Sequence, residues 1–335
     1  MALTAKVKKT INTSLRIVIA FLASWFIYKQ LADPQNFLSF TDSFQSKWNH
    51  ADFMFLIIVS LLLMPVNWGV EAFKWKLLIN YAERVSFKQA LMSVFSGITM
   101  SLFTPNRVGE FLGRLLTLKH THPLKGAFLT ITGSISQLMT TLLFGMMALC
   151  FFFPIYYDLD ITRYLVMYLF ILITVFLAGG FMVMIYLKVS RVARLTSSFV
   201  KPGWEKIRGY LRVMRRLKRS LLIKVLMLSM LRYMIFSTQF YILLIAFGLS
   251  IPWYHAFILI SMTYFTMTAI PTIALVDLGI RGSVSIYFLG LYFTGQPGSA
   301  VSILAASTAV WIINLAIPSL VGVLFINRMK LIREV

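Results

Sequence analysis

Apolar residues run in long blocks along this chain, and the polar and charged positions gather between the blocks. Six blocks, at 15–31, 53–73, 126–153, 164–187, 225–248 and 299–326, are long enough as helices to cross a hydrocarbon core about 30 Å thick at about 1.5 Å per residue. Four shorter apolar stretches remain, at 89–104, 107–118, 256–275 and 283–294. The pattern predicts an all-α polytopic membrane protein, a single membrane domain over residues 1–335.

The polar positions orient the blocks, because the cytoplasmic side of a bilayer protein carries the excess Lys and Arg. Lys6, Lys8, Lys9 and Arg16 place the N-terminus inside, while Asp33, Asp42 and Asp52 place 32–52 outside. Residues 74–88 carry Lys74, Lys76, Arg84 and Lys88, and 107–125 carry Arg107, Arg114, Lys119 and Lys125, so both are inside. The densely basic 188–224 and the tail, with Arg328, Lys330 and Arg333, are inside as well; 154–163, with Asp158 and Asp160, is outside.

Both flanks of 89–104 thus lie on one side, although an apolar run separates them. A re-entrant hairpin over 89–118, turning at Pro105–Asn106, resolves the conflict. The block 225–248 ends outside and 299–326 starts outside, so 256–294 must enter and come back. Its return arm, 283–294, is only about 18 Å long as helix and too short to span. A second hairpin of opposite orientation, turning near Pro271–Arg281, follows. Two opposed hairpins suggest an inverted repeat, with one half over 53–153 and the other over 225–326. Non-helical backbone at membrane depth needs cover from protein or a water-filled cavity, so the two tips are expected to meet in a shared interior.

Composition agrees with the pattern: 59% of residues are hydrophobic and 13% charged, against about one-quarter charged in soluble domains. The net charge of +21 would point to nucleic acid in a soluble protein; here it marks one face of a membrane, and no nucleic-acid partner is expected. The N-terminal "AKVKKTINTSLRIVIAFLASWF" has the order of a signal peptide, but the run continues to about Leu31 without a good small-residue cleavage site, so a retained first helix is expected. Cys150, the single cysteine, builds no disulfide or zinc site and reads as a small buried hydrophobe. His120 and His122 alone are weak metal evidence, and HExxH, P-loop and GxSxG patterns are absent. Neither a cofactor nor enzymatic activity is expected.

The candidate chemistry lies in the hairpins. Each carries an acid four residues before an arginine, Glu110 with Arg114 and Asp277 with Arg281. On a helix that spacing puts the pair on one face in the favourable order. Arg107 joins the first pair and leaves it net positive. One reading is an anion site, with arginine as a bidentate partner for phosphate; the other is a solvated face or a structural ion pair. Gly109 and Gly113 have the spacing of a close helix contact. Arg232 and Gln239, seven apart, share a face within a span and point either into the bundle or, for Arg232, out to the interface. Glu71, Lys74 and Trp75 lie at the inner end of the second block, where interfacial anchoring is the expectation. "KPGWEKIRGYLRVMRRLKR", 201–219, reads as a basic amphipathic helix in the 188–224 segment, suited to an anionic inner leaflet.

The stretch "LFTPNRVGEFLGR" resembles the P-x-R-x-G-E-x-x-R motif of a flippase-like membrane family that includes the transmembrane region of lysylphosphatidylglycerol synthases. "EAFKWKLL", with Lys74, Trp75 and Lys76, resembles that family's arginine–tryptophan–arginine ending, and "AIPTIALVDLGIRG" its second motif of a proline, a Gly-rich turn and an Arg–Glu pair. The likeness covers about 50–325. Two departures stand out: the family's Glu falls at Gly282, and an expected glycine is Asp277. No soluble aminoacyltransferase part follows residue 326, so synthase activity is not expected. The resemblance implies movement of an anionic phospholipid or a polyprenyl-phosphate-linked lipid across the cytoplasmic membrane. Arg107, Arg114, Arg232 and Arg281 would then engage the head group, and Glu110 and Asp277 would hold the arginines and be candidates for taking protons. Pro105, Gly109, Gly113, Pro271 and Gly279 would shape the hairpins. The alternative is a non-catalytic membrane scaffold whose basic 188–224 segment docks an envelope-biosynthesis enzyme.

Overall fold

The structure is a computed structural model that describes Ser14 and residues 50–102, 104, 108–115, 117–118, 121–157, 163–198, 213–270 and 274–325. Among them there are helices and no strand. In chain order these are α1 Ala51–Ile79, α2 Phe87–Ser101, α3 Gly109–Leu115, α4 Pro123–Tyr156, α5 Leu165–Leu187, α6 Val189–Ser198, α7 Arg219–Ala246, α8 Trp253–Ala269, α9 Ala274–Gly290, α10 Ser299–Trp311 and α11 Ile317–Phe325. A π-helical turn, Ile312–Ala316, joins α10 to α11 without a break.

Among the described residues, five helices are long and apolar enough to cross a membrane: α1, α4, α5, α7 and the continuous α10–α11. They match five of the six long apolar blocks; the block at 15–31, the 32–49 loop and the basic tail lie outside the described residues. In α10–α11, 61% of the most apolar window is buried, against 6% in α5. The first is therefore the central helix and the second a peripheral one, with Val166, Phe170 and Phe176 on its exposed surface. Such a surface is stable only where the solvent is itself apolar.

α1 and α7 run antiparallel along a stripe of polar side chains. Gln239 donates to the Ser60 carbonyl (2.9 Å), Arg232 to Asn67 (3.1 Å) and Lys74 to Ser229 (3.4 Å), so positions rise on one helix as they fall on the other. The α1 members, Ser60, Asn67, Glu71 and Lys74, follow helical spacing and form one buried face.

Two short helix pairs complete the bundle. A reciprocal capping box starts α2: Ser86 accepts from the Gln89 amide, and Gln89 accepts from the Ser86 amide. α3 returns antiparallel along α2. A Cβ on Gly113 would lie 2.6 Å from the Ser96 carbonyl and the Gly97 Cα, and one on Gly109 would overlap the Met100 carbonyl. The two chains therefore touch backbone to backbone. Glu83 accepts from the Thr121 amide at 2.9 Å, which returns the segment to where it began, beside the start of α4. The α8–α9 pair opens at the other end of α4. There the Tyr156 hydroxyl meets His255 Nδ1 at 2.8 Å, and the His255 ring lies 5.0 Å from that of Tyr292. The two pairs open at opposite ends of a 34-residue helix, about 50 Å apart.

Two expectations change. The return arm of the second pair is Ala274–Gly290 rather than 283–294, so Asp277 and Arg281 lie inside a helix and not in a turn. Seventeen residues make about 25 Å of helix. Gly279 was expected to shape the hairpin, yet it is Gly282 where α9 packs close: an added Cβ would sit 2.6 Å from Leu304. Gly279 has open space around it and serves no tight approach. The basic segment is also more helical at its start than expected, with α6 at Val189–Ser198. Residues 201–212 of the expected amphipathic helix lie outside the described residues, as do Pro105, Asn106, Arg107 and Pro271.

Candidate functional site

The site grows from α1. The helical stripe that carries Asn67 and Lys74 also carries Glu71, and packing against α3, α4 and α7 seals it from the lipid. Glu71 and Lys74 are 4% and 1% exposed, and Arg114 is 3%. The expectation that Glu71 and Lys74 anchor at the interface is thereby corrected: their side chains turn inward because cations from two other helices converge on Glu71. Its carboxylate takes Lys74 at 2.6 Å, Arg114 at 3.0 Å and Arg232 at 3.1 Å. Arg114 also pairs with Glu110 on its own helix. Asp277 and Arg281 pair on α9 at 3.2 Å. Four cations thus face three carboxylates among these paired groups, an excess of one positive charge.

Neutral groups fix the rest. Asn67 donates to Asn314 at 2.8 Å, within the π-helical turn, and accepts from Arg232 Nε. Arg232 stacks over the Trp68 ring, 4.7 Å from its centroid. Gln137 on α4 reaches Lys74, and Thr130 takes the Trp75 indole N–H at 3.0 Å. A π-turn widens the helix where it occurs and is frequent at functional sites; here it presents Asn314 to the Asn67–Arg232 pair.

A cavity of about 760 Å³ opens onto this network, lined by Glu71, Lys74, Glu110, Arg232, Asp277 and Arg281. It brings both acid–arginine helices of the short pairs to one space, together with the end of α1. That volume lies within the roughly 300–1,000 Å³ of small-molecule sites. A smaller cavity of about 220 Å³ adjoins it, reaching Asn67, Trp311 and Asn314. The two share Gln137, Arg232, Phe236, Tyr264 and Arg281 as a common wall.

Of the residues singled out from sequence, Glu110, Arg114, Arg232, Asp277 and Arg281 belong to this constellation, with Arg114 acting from behind Glu110. Gly109 and Gly113 seat α3 on α2. Arg107, Pro105 and Pro271 lie outside the described residues. Sequence reasoning placed Glu71 and Lys74 at the interface rather than at the hub, and passed over Asn67. The signal was available: Ser60, Asn67 and Glu71 inside the 53–73 block, with Lys74 just past its end, make a polar stripe at helical period. Among the described residues, no group of three His, Cys, Asp or Glu could hold a metal ion. Cys150 is buried, its thiol directed to the Met146 carbonyl.

Membrane-length helices with apolar surfaces and inward ion pairs define a polytopic α-helical membrane protein. The particular family comes from comparison with known families: residues 14–322 match the lysylphosphatidylglycerol synthase TM region, and the chain belongs to that family. The assignment sets it among membrane proteins of lipid modification or transport. Neither a curated protein nor a solved structure matches the chain.

Proposed function

We propose that the protein is a flippase-like transporter that moves an anionic lipid head group across the cytoplasmic membrane. The observation that carries this reading is one cavity onto which Glu110, the Asp277–Arg281 pair and the Glu71 hub open, with Arg114 behind Glu110. A charge at membrane depth costs roughly 2.5–3.5 kcal/mol even on the milder scale. Six such groups line one space, and with Arg114 behind Glu110 the paired network holds one positive charge in excess, which suits a ligand that arrives negative. Arg232 and Arg281 line the wall between the larger and smaller cavities and would take the phosphate; Glu71, Glu110 and Asp277 hold the cations in place when it leaves. In this reading α2–α3 and α8–α9 are re-entrant hairpins of two inverted halves, and both chain termini are cytoplasmic. The opposite ends at which the two pairs open support it.

Reconstitution into vesicles with fluorescent phosphatidylglycerol tests the proposal. Wild-type protein should speed exchange between leaflets. Arg232→Ala and Arg281→Ala should each slow it roughly tenfold or more, the scale of one charge-assisted hydrogen bond. Undiminished exchange in both variants would overturn it.

A further inference from the structure

A second charged recess lies away from the central network, where α5 ends and α6 begins. It encloses about 510 Å³ and is lined by Lys188, Arg191, Arg194 and Arg219, with no acid among its described lining residues. Glu205 is the only acid in the whole of 188–224. The walls are held in place: the α5 end is closed by the Lys188 amide on the Met184 and Ile185 carbonyls, and the Ser190 hydroxyl on α6 donates to the Leu217 carbonyl at 2.6 Å. The backbone between α5, α6 and the start of α7 is thereby fixed, and the four cations project from it into the open recess.

Its other half is apolar. Gly180 and Met184 on the exposed face of α5 line this recess and also an adjoining groove of about 650 Å³ that runs past Phe176, Leu177 and Phe181. A cluster of cations at the end of a spanning helix, continuous with an apolar channel along that helix, has the chemistry of a phospholipid: phosphate at one end, acyl chain at the other. A soluble phosphate would use the first half alone and leave the groove without a role.

We infer that the α5–α6 elbow is a binding site for an anionic phospholipid, separate from the central cavity. Its head group sits among Lys188, Arg191, Arg194 and Arg219, and one acyl chain lies along Phe176–Met184. Basic recesses between spanning helices at the membrane surface are suited to anionic head groups. Since the lipid touches α5, the least buried of the described spans, and α6 begins the basic segment, occupancy would pin that segment to the leaflet it faces.

The test uses the full-length protein in nanodiscs with phosphatidylglycerol or phosphatidylcholine carrying a photoactivatable acyl chain, followed by mapping of the labelled peptides. The phosphatidylglycerol probe should label 174–184 and the phosphatidylcholine probe should label it far less. Each cation at an anionic lipid surface is worth roughly fivefold in affinity, so Lys188→Gln with Arg191→Gln should reduce that labelling by about 25-fold while labelling of other spans is retained. Equal labelling by the two probes, undiminished labelling in the double variant, or displacement of the probe by millimolar inorganic phosphate would overturn the inference. The comparison of the two probes on wild-type protein decides the matter even if the variant fails to fold. Arg281→Ala should leave labelling of 174–184 unchanged, which separates this site from the transport reading.

Discussion

Glu71 carries the greatest burden of any single side chain. Three cations from α1, α3 and α7 share its carboxylate, and all but Arg232 are almost wholly buried. Removing one partner from a buried ion network leaves charge without compensation and costs about 3–5 kcal/mol. Glu71→Gln should therefore lower the thermal unfolding midpoint steeply in detergent. Glu110→Gln should lower it far less, since the Glu110 side chain is 24% exposed and, among the described residues, pairs with Arg114 alone. Equal shifts in the two variants would remove Glu71 from its place as hub. Asn314 makes a smaller, related case. Asn314→Leu takes the acceptor from Asn67 Nδ2, at a cost of about 1–3 kcal/mol for the group left buried and unpaired. It should also weaken the response to substitutions at Arg232, which shares Asn67; a double-mutant cycle reads that coupling.

At the scale of elements, the short helices depend on what they pack against. α3 has seven residues, too few to be stable alone, and it is held by the backbone contact of Gly113 with Gly97. Gly113→Ala has no room and should cost about 1–3 kcal/mol through overpacking. Gly279→Ala meets nothing within 4 Å and should be neutral or stabilise by up to about 1 kcal/mol, because alanine is the better helix former. Unfolding of the two variants side by side checks both. The contrast also explains why glycine alone was a poor guide to the second pair: a helical glycine marks either a break or a contact surface, and only the neighbouring helix tells which.

For the whole molecule, the ends of each short pair decide the topology. Lys88, in the first turn of α2, and His122, just before α4, mark the two ends of the first pair and are both exposed. In a Cys150-free background, single cysteines at these positions should react with an impermeant maleimide from the same side of sealed vesicles, the side that also carries the 188–198 segment. Labelling of the two from opposite faces would make α2–α3 a crossing and dismiss the inverted-repeat reading. The central charge network and the α5–α6 recess lie in different parts of the bundle, so one can be disabled while the other is read.

What the sequence determined by itself is the class of protein and the places where its chemistry is concentrated. Membrane-length apolar blocks leave little choice of secondary structure, because backbone hydrogen bonds in hydrocarbon must be met within the helix. A spacing of four on a helix puts Glu110 beside Arg114 and Asp277 beside Arg281 before any tertiary contact is known, and the family motifs lie on those same stretches. Which charges share one space was left open. Glu71 and Lys74 read as interfacial from their position near a block end; the antiparallel seating of α1 on α7 and the close approach of α3 turned them inward. The contacts that did so join residues 43 to 247 positions apart, and no local periodicity encodes such a pairing. It arises from how much polar surface each helix must hide from lipid and which neighbour offers the complementary charge.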